Sequence, residues 1–339
     1  MLEIDGSMGE GGGQVLRTAL ALSLVTGTPF RAKNIRAGRP RPGLMRQHLA
    51  AVLAAQRVGA AHVEGAEQGS RALSFQPATV VGGHHSFRVG TAGSATLVLQ
   101  AVLPALLLHH APTSLDLEGG THNPLAPPFD FLERAFLPLL CRMGPRVDVS
   151  LSAWGFFPAG GGRFHVDITP ARTLRGFSLL ERGAVRDRRA RILLSRLPGH
   201  VGDREADVVR AGLGLRPDQV RVEDITASPG PGNAIVIELV SEHVTEVFTA
   251  FGEKRTRAEE VAARVVEEVN GYLAAGLPVG EHLADQLLLP LALAGEGEFA
   301  TATLSGHART QLELIPRFLP VTFHVDTMAA GLRVRVGRP

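Results

Sequence analysis

Cysteine and lysine are both scarce in this sequence of 339 residues. Cys141 is the only cysteine, so the chain cannot form an internal disulfide and cannot build a zinc site from cysteines. Lys33 and Lys254 are the only lysines, and all other residues of the Lys and Arg type are arginine. Covalent chemistry through a lysine amine therefore has almost no candidate positions.

Long apolar runs and targeting signals are also missing. The longest apolar run, 96–108, is too short to span a bilayer and contains Gln100 and Pro104. Residues 1–10 are acidic and lack the basic-then-apolar pattern of a signal peptide. We therefore expect a soluble cytoplasmic protein without a membrane partner.

The rest of the composition is that of an ordinary globular protein, with 45% hydrophobic and 20% charged residues. The formal net charge is only +2, so no basic field over the whole molecule demands nucleic acid. The length allows two or more domains, or one domain with a large insert.

A glycine-rich segment, Gly9–Gly13, leads through Gln14–Arg17 into an apolar stretch at 18–24. Its glycines let the backbone curl tightly, and the positive end of the following helix points into that curl. Glu10 adds a carboxylate, and Gln14 and Arg17 add donors. This combination indicates a phosphate site with a metal, although a glycine-rich turn without a ligand fits the pattern equally well.

One pattern occurs three times: a glycine-containing start, an apolar helix, a strand, a polar loop and a second helix. The copies cover residues 11–57, 90–143 and 279–318. Each predicts a small sheet covered by two helices, with strands at 30–35, 114–117 and 299–304. We therefore predict an α/β (α+β) fold of three repeated β-α-β-α units around a pseudo-threefold axis.

The spacing of the copies predicts an inserted domain. The first two starts lie about 80 residues apart and the third about 190 residues further on, which leaves an excess of roughly 110 residues. The extra segment has its own strand-like and helix-like runs. We predict a large three-repeat domain over 1–185 and 271–339, and a smaller inserted α/β domain over 186–270.

Equivalent loops of three copies can converge on one region. Arginine, asparagine and histidine together would suit a phosphorylated substrate, whereas loops on separate surfaces would have no such meaning. The residues concerned are Arg39, Arg41, His122, Asn123, His307 and Arg309.

Three further features carry candidate chemistry. His307 follows a strand and Gly306, and its neutral imidazole is a nucleophile near physiological pH. The turn 281–286 opens an apolar helix, so its polar side chains could bind an adenine or a ribose, or simply cap the helix. Gln100 interrupts an apolar helix and needs a partner, which could be a ligand or backbone.

The chain resembles the RNA 3′-terminal phosphate cyclase family through nine motifs that follow one another in order. They are Gly9–Gln14 with Arg17; Ile35–Arg39; Gly43 with Arg46–Leu49; Gly93–Ser94 with Leu99–Gln100; Gly119–Thr121 with Asn123–Pro124; Phe157–Gly162; Gly252–Arg255; Leu283–Gln286; and His307 with Thr310.

The resemblance implies three repeats like the C-terminal domain of a translation initiation factor, plus a smaller insert. It also implies an ATP-dependent ligase reaction on RNA 3′-phosphate ends. His307 would take AMP from ATP, pass it to the RNA 3′-phosphate, and the adjacent 2′-OH would close a 2′,3′-cyclic phosphate and release AMP.

The resemblance also implies roles for individual residues. Glu10 would hold a divalent metal, Mg²⁺ or Mn²⁺. The nucleotide would contact Gln100, Pro127, His282, Leu283, Ala284, Asp285 and Gln286. The candidates for the RNA 3′-phosphate are Gln14, Arg17, Arg36, Arg39, Gln47 and Asn123.

The chain departs from the family pattern at three positions. His282 stands where tyrosine is more frequent, His122 where an acidic residue is common, and Gln311 where asparagine is usual. These differences affect individual contacts and leave His307 and Glu10 in place.

Other reaction classes fit less well. Most nucleotidyl-transferring ligases adenylate a lysine in a Lys-x-Asp-Gly motif, which neither Lys33 nor Lys254 provides. A related ribosome-biogenesis protein shares the fold but lacks the nucleophilic histidine. An enolpyruvyl transferase would need a lysine-rich basic cluster.

Overall fold

The computed structural model describes all residues, 1–339, and contains four mixed sheets of four strands each. The first sheet and its helices consist of β1 (Leu2–Asp5), α1 (Gln14–Thr26), β2 (Phe30–Lys33), α2 (Arg46–Val58), β3 (His62–Glu64) and β4 (Leu73–Gln76). The strand order is β1-β2-β4-β3. β1 and β2 are parallel, and the other pairs are antiparallel.

The second sheet has the same strand order. Its elements are β5 (Gly83–Arg88), α3 (Ala95–Leu107), β6 (Thr113–Gly119), α4 (Phe129–Phe131), α5 (Leu137–Arg142), β7 (Arg146–Ala153) and β8 (Gly162–Thr169). The order is β5-β6-β8-β7, with β5 and β6 parallel. A π-helical turn, Leu132–Phe136, joins α4 to α5.

A different sheet follows β9 (Ser178–Leu179) in the chain. Its elements are β10 (Val185–Ser195), α6 (Gly199–Leu213), β11 (Val220–Asp224), β12 (Gly232–Ser241), β13 (Thr245–Phe251) and α7 (Ala258–Ala275). The order is β11-β10-β12-β13, so this sheet is wound differently from the first two.

The last sheet has the same strand order as the first two sheets. Its remaining elements are α8 (Glu281–Ala294), β14 (Glu296–Thr301), α9 (Gly306–Leu314), β15 (Thr322–Met328) and β16 (Gly331–Gly337). Read from β9, the order is β9-β14-β16-β15, and β9 pairs in parallel with β14. Three sheets therefore share one strand order.

The structure contains two separate hydrophobic cores. The larger core combines side chains of the three similar sheets and their helices, for example Leu20, Phe75 and Leu106, with one face of the differently wound sheet, for example Leu193 and Val236. The smaller core lies between Ala190 and Tyr272 and consists of side chains from the differently wound sheet and its helices. None of the helices has the length and hydropathy that a membrane crossing requires.

Helix packing brings the glycine-rich helix starts near one another. No residue of α1 or α3 is exposed and most are fully buried, as expected for helices that are largely apolar all round. α1 contacts both α3 and α9, and α9 also contacts α8. The polar N-terminal ends of these helices are thereby held by a common apolar scaffold.

The structure differs from the expected elements in local detail. β2 ends at Lys33, because Asn34 and Arg36 adopt left-handed backbone angles, φ 54° and 57°. The second helix of the predicted copy 90–143 is interrupted by the π-helical turn. The antiparallel strand pair that completes each of the three similar sheets was not predicted.

Candidate active site

The loop Gly9–Gly13 lies between two other segments, and close contacts explain its glycines. Gly9 has φ 55°, and a Cβ there would come within 1.9 Å of the Thr310 hydroxyl on α9. Gly11 has φ 56°, and its Cβ would lie 3.0 Å from the Gly38 backbone nitrogen. Glycine therefore allows this loop to pack tightly against both α9 and the Gly38 loop.

Glu10, Arg39 and His307 form a cluster of half-exposed side chains, here called the Glu10 cluster. Glu10 Oε2 lies 3.2 Å from an Arg39 guanidinium nitrogen and 3.4 Å from His307 Nε2. Gly306 leaves room for this carboxylate, since a Cβ there would approach Glu10 Oε1 to 2.5 Å. About 40% of each side chain is exposed, so a ligand can reach all three.

His307 lies in the first turn of α9, which is firmly attached to α8. Ser305 caps α9 by accepting a hydrogen bond from the Ala308 N–H at 2.9 Å. The Ser305 hydroxyl donates to Asp285 Oδ1 at 2.5 Å, and Gln311 Nε2 donates to the Asp285 carbonyl at 2.7 Å. Asp285 and Gln311 therefore fix the helix that carries His307.

Burial controls the charge state of this region. It lowers the pKa of His307 below its ordinary value; Glu10 opposes the shift, and Arg17 and Arg39 add to it. The imidazole is therefore neutral at physiological pH. Burial also raises the pKa of Asp285 to about 6.

A second basic group lies behind the glycine-rich loop. Burial lowers the pKa of Arg17 to about 10, which leaves its guanidinium charged near neutral pH. Burial and the charges of Arg17 and Arg36 lower the pKa of His48 to about 3. His48 accepts a hydrogen bond from the Met45 N–H at 3.2 Å, and a Cβ on Gly13 would lie 2.3 Å from its Nε2. We gave His48 no role from the sequence, although it lies within a quoted motif.

The other phosphate candidates differ in their surroundings. Arg36 donates to the carbonyls of Arg41 and Gly43, at 2.6 and 2.9 Å, and so holds its own loop. Asn123 Nδ2 donates to the Ala92 carbonyl. Gln47 Oε1 accepts from the Ser94 N–H at 3.4 Å, so its amide nitrogen is free for another acceptor. Gln14 is the first residue of α1.

The nucleotide candidates come from α3, α8 and the loop before α4. Gln100 Nε2 donates to Gln286 Oε1 at 2.5 Å, so these two meet across the helices. Leu283 and Ala284 are completely buried and contribute packing, whereas His282 is exposed. The Pro127 carbonyl accepts from the Thr96 hydroxyl at 2.7 Å, which ties this loop to α3.

His122, Asp130 and Arg191 form a second charged group, here called the Asp130 cluster. His122 Nε2 lies 2.7 Å from Asp130 Oδ2, and Arg191 donates to Asp130 Oδ1 at 2.7 Å. Burial alone would raise the pKa of Asp130, but hydrogen bonding to His122 and the charge of Arg191 hold it below its usual range. We did not predict Asp130 or Arg191, because neither lies in a motif that suggests chemistry.

No group of three or more His, Cys, Asp or Glu side chains in the chain could hold a metal ion. Mg²⁺ is usually bound through one or two carboxylates, with waters and substrate phosphates completing its shell. The exposed Glu10 carboxylate suits such a partial site, whereas an all-protein metal cage is absent.

A carboxylate, a neutral imidazole and several arginines at glycine-rich loops define a site suited to phosphate chemistry. Residues 8–325 match the family model described as RNA 3′-terminal phosphate cyclase. Two similar proteins carry that name. The one from Koribacter versatilis (strain Ellin345) is 52% identical over 326 residues, which are 96% of this chain and 92% of the relative.

The second relative is from Ralstonia nicotianae (strain ATCC BAA-1114 / GMI1000). It is 50% identical over 339 residues, which are 99% of this chain and 97% of the relative. The chain therefore belongs to the RNA 3′-terminal phosphate cyclase family.

Proposed function

We propose that this chain is an ATP-dependent RNA 3′-terminal phosphate cyclase, a ligase that forms a phosphoric ester bond. It converts an RNA 3′-phosphate into a 2′,3′-cyclic phosphodiester. The observation that carries the proposal is the neutral, half-exposed His307 3.4 Å from Glu10, in a chain that belongs to this family. No observation favours the catalytically inactive, ribosome-biogenesis alternative.

The chemistry follows from the need for a leaving group. A 2′-OH cannot expel oxide from a phosphate at a useful rate, so the phosphate must first be activated. His307 attacks the α-phosphorus of ATP and displaces pyrophosphate. The RNA 3′-phosphate then takes AMP from His307, and the 2′-OH attacks this activated phosphate, closing the ring and releasing AMP.

The surroundings of His307 support its role as nucleophile. Its lowered pKa keeps a ring nitrogen unprotonated, which the attack requires. Asp285 and Gln311 hold α9 so that the imidazole keeps its position. A Mg²⁺ or Mn²⁺ ion held by Glu10 would neutralise developing phosphate charge.

The remaining candidates divide between the two substrates. Arg17, Arg39 and Gln14 lie at the glycine-rich loop, and Gln47 lies at Gly93 and Ser94. All four are assigned to phosphates, while Arg36 and Asn123 shape the loops around them. Gln100, Gln286 and Asp285 are assigned to the nucleotide, with Pro127 near the base. His282 offers an imidazole for stacking in place of tyrosine.

We also infer three repeats around a pseudo-threefold axis and an inserted domain over 186–270. The shared strand order of three sheets supports the repeat. The separate core between Ala190 and Tyr272 supports the inserted domain. A cytoplasmic location fits an activity that consumes ATP and RNA ends.

A direct assay tests the function. The chain is incubated with ATP, Mg²⁺ or Mn²⁺ and a short RNA that ends in a 3′-phosphate. The end should become resistant to phosphatase, with one AMP and one pyrophosphate released per cyclic end. An otherwise identical oligonucleotide with a terminal 2′-deoxyribose lacks the attacking hydroxyl and should stop at the adenylated 3′-phosphate. A phosphatase-sensitive RNA end after complete incubation would contradict the proposal.

A further inference from the structure

Phe157 is an aromatic side chain that lies exposed on the protein surface. It is the only aromatic residue among the exposed large hydrophobic residues, with 65% of its surface exposed. Its neighbour Phe156 is buried and contributes to the main core. The loop is thus anchored in the core through Phe156 and presents the Phe157 benzyl group to water.

The Phe157 loop lies beside the proposed phosphate site. Gly160 has φ 68°, and a Cβ there would lie 2.6 Å from Ala92 Cα, so the loop is pressed against the segment 91–94. Ser94 of that segment donates its N–H to Gln47 Oε1 at 3.4 Å. Only the segment 91–94 therefore separates the Phe157 loop from Gln47, which is proposed to bind the 3′-phosphate.

The other side of the same loop touches the segment that we infer to be the inserted domain. A Cβ on Gly230 would lie 2.3 Å from the Ala159 side chain, and one on Gly161 would lie 2.7 Å from Pro229. Arg196 is exposed and donates to the Ser228 carbonyl at 3.3 Å. Its guanidinium, which forms no ion pair, thus lies at the turn that packs on the Phe157 loop.

We propose that Phe157 is a stacking platform for the base of the penultimate nucleotide of a single-stranded RNA, one position 5′ of the nucleotide that carries the terminal phosphate, and that Arg196 contacts the RNA backbone. Exposed aromatic rings stack on unpaired bases, and arginines follow the phosphates, in proteins that bind single strands. The inserted domain thereby gains a function in holding the RNA that leads into the site. This inference rests on the proposed cyclase function.

The proposal predicts a dependence on substrate length. Phe157→Ala should raise the KM for a short single-stranded RNA 3′-phosphate about tenfold, within the range of one lost stacking contact. The KM for a nucleoside 3′-phosphate, which has no second base, should not change. Transfer of AMP from ATP to the protein needs no RNA and should proceed at the wild-type rate.

Matched variants separate stacking from damage to the loop. Phe157→Tyr keeps an aromatic face and should restore the wild-type KM for RNA. Val325→Ala removes an exposed apolar side chain on β15 and should leave both KM values unchanged. Arg196→Gln should reduce the slope of log KM against log salt by about one.

Two results would contradict the proposed stacking of an RNA base on Phe157. One is a Phe157→Ala protein with the wild-type KM for RNA; the other is an equal rise of KM for RNA and for the nucleoside 3′-phosphate. Failure of the underlying function looks different, because the wild-type protein itself would then cyclise neither substrate.

Discussion

The Glu10 cluster and the Asp130 cluster contain the same three kinds of side chain, a carboxylate, an imidazole and a guanidinium, in opposite environments. Distances from Glu10 to its partners are 3.2 and 3.4 Å, and about 40% of each side chain is exposed. Both distances from Asp130 to its partners are 2.7 Å, and its side chain is only 5% exposed. In the exposed Glu10 cluster, the side chains can exchange their contacts for contacts with a phosphate. The buried side chains of the Asp130 cluster cannot.

The difference in exposure between the two clusters distinguishes a catalytic role from a structural one. Charges that remain in contact with water are inexpensive to keep ionised, and their mutual attraction is weak enough to give way to a substrate. A buried carboxylate needs its partners at all times, because the desolvated charge is costly when it is left alone. We therefore assign catalysis to the Glu10 cluster and the joining of β10 to the α4 region to the Asp130 cluster.

The largest effect on activity is expected from Glu10→Gln. The substitution keeps the shape but removes the charge that faces His307, so AMP transfer to the protein should slow by about 100-fold or more. Glu3→Gln, which changes an exposed carboxylate paired with Lys33, is the matched control and should leave the rate unaltered. Equal rates of AMP transfer for both variants would contradict a catalytic role for the Glu10 cluster.

The largest effect on stability is expected from Asp130→Asn. It removes the buried anion that His122 and Arg191 share and leaves Arg191 paired only with Glu223, so the free energy of unfolding should fall by about 3 kcal/mol. Denaturant unfolding measures this change. The folded fraction should still form the AMP adduct at the wild-type rate. A rate loss as large as that of Glu10→Gln would place Asp130 in the chemistry instead.

A smaller effect concerns pH. Because the pKa of His307 is lowered, its imidazole stays neutral as the pH falls, and the acid limb of AMP transfer should have its midpoint below 6.5. Glu10 raises this pKa, so Glu10→Gln should move the midpoint further down, while Arg39→Gln should move it up. Single-turnover rates across the acid range measure all three, and a wild-type midpoint above 6.5 would contradict the assigned environment.

The sequence was informative where function and local pattern coincide. The glycine-rich start before α1 and the histidine after a strand could be read directly, and the structure brings Glu10 and His307 together. Glycines at positive φ and a serine cap are local signals, so they are visible without tertiary information.

Contacts between residues far apart in the chain could not be predicted from the sequence. Asp130 and Arg191 are 61 positions apart, and nothing in either neighbourhood marks a buried ion pair. His48 becomes a neutral imidazole because the fold buries it and places the charges of Arg17 and Arg36 nearby. β3 has only three residues, too few for a clear alternating pattern, and its pairing with β4 depends on the sheet that they complete.

Covalent attachment of AMP to His307 can be measured directly. The protein is incubated with ATP labelled in the α-phosphate and a divalent metal, and the labelled peptide is identified by mass spectrometry. We expect one acid-labile, base-stable AMP on His307, and none in His307→Asn. Label that persists in His307→Asn, or that lies on Lys33 or Lys254, would contradict it.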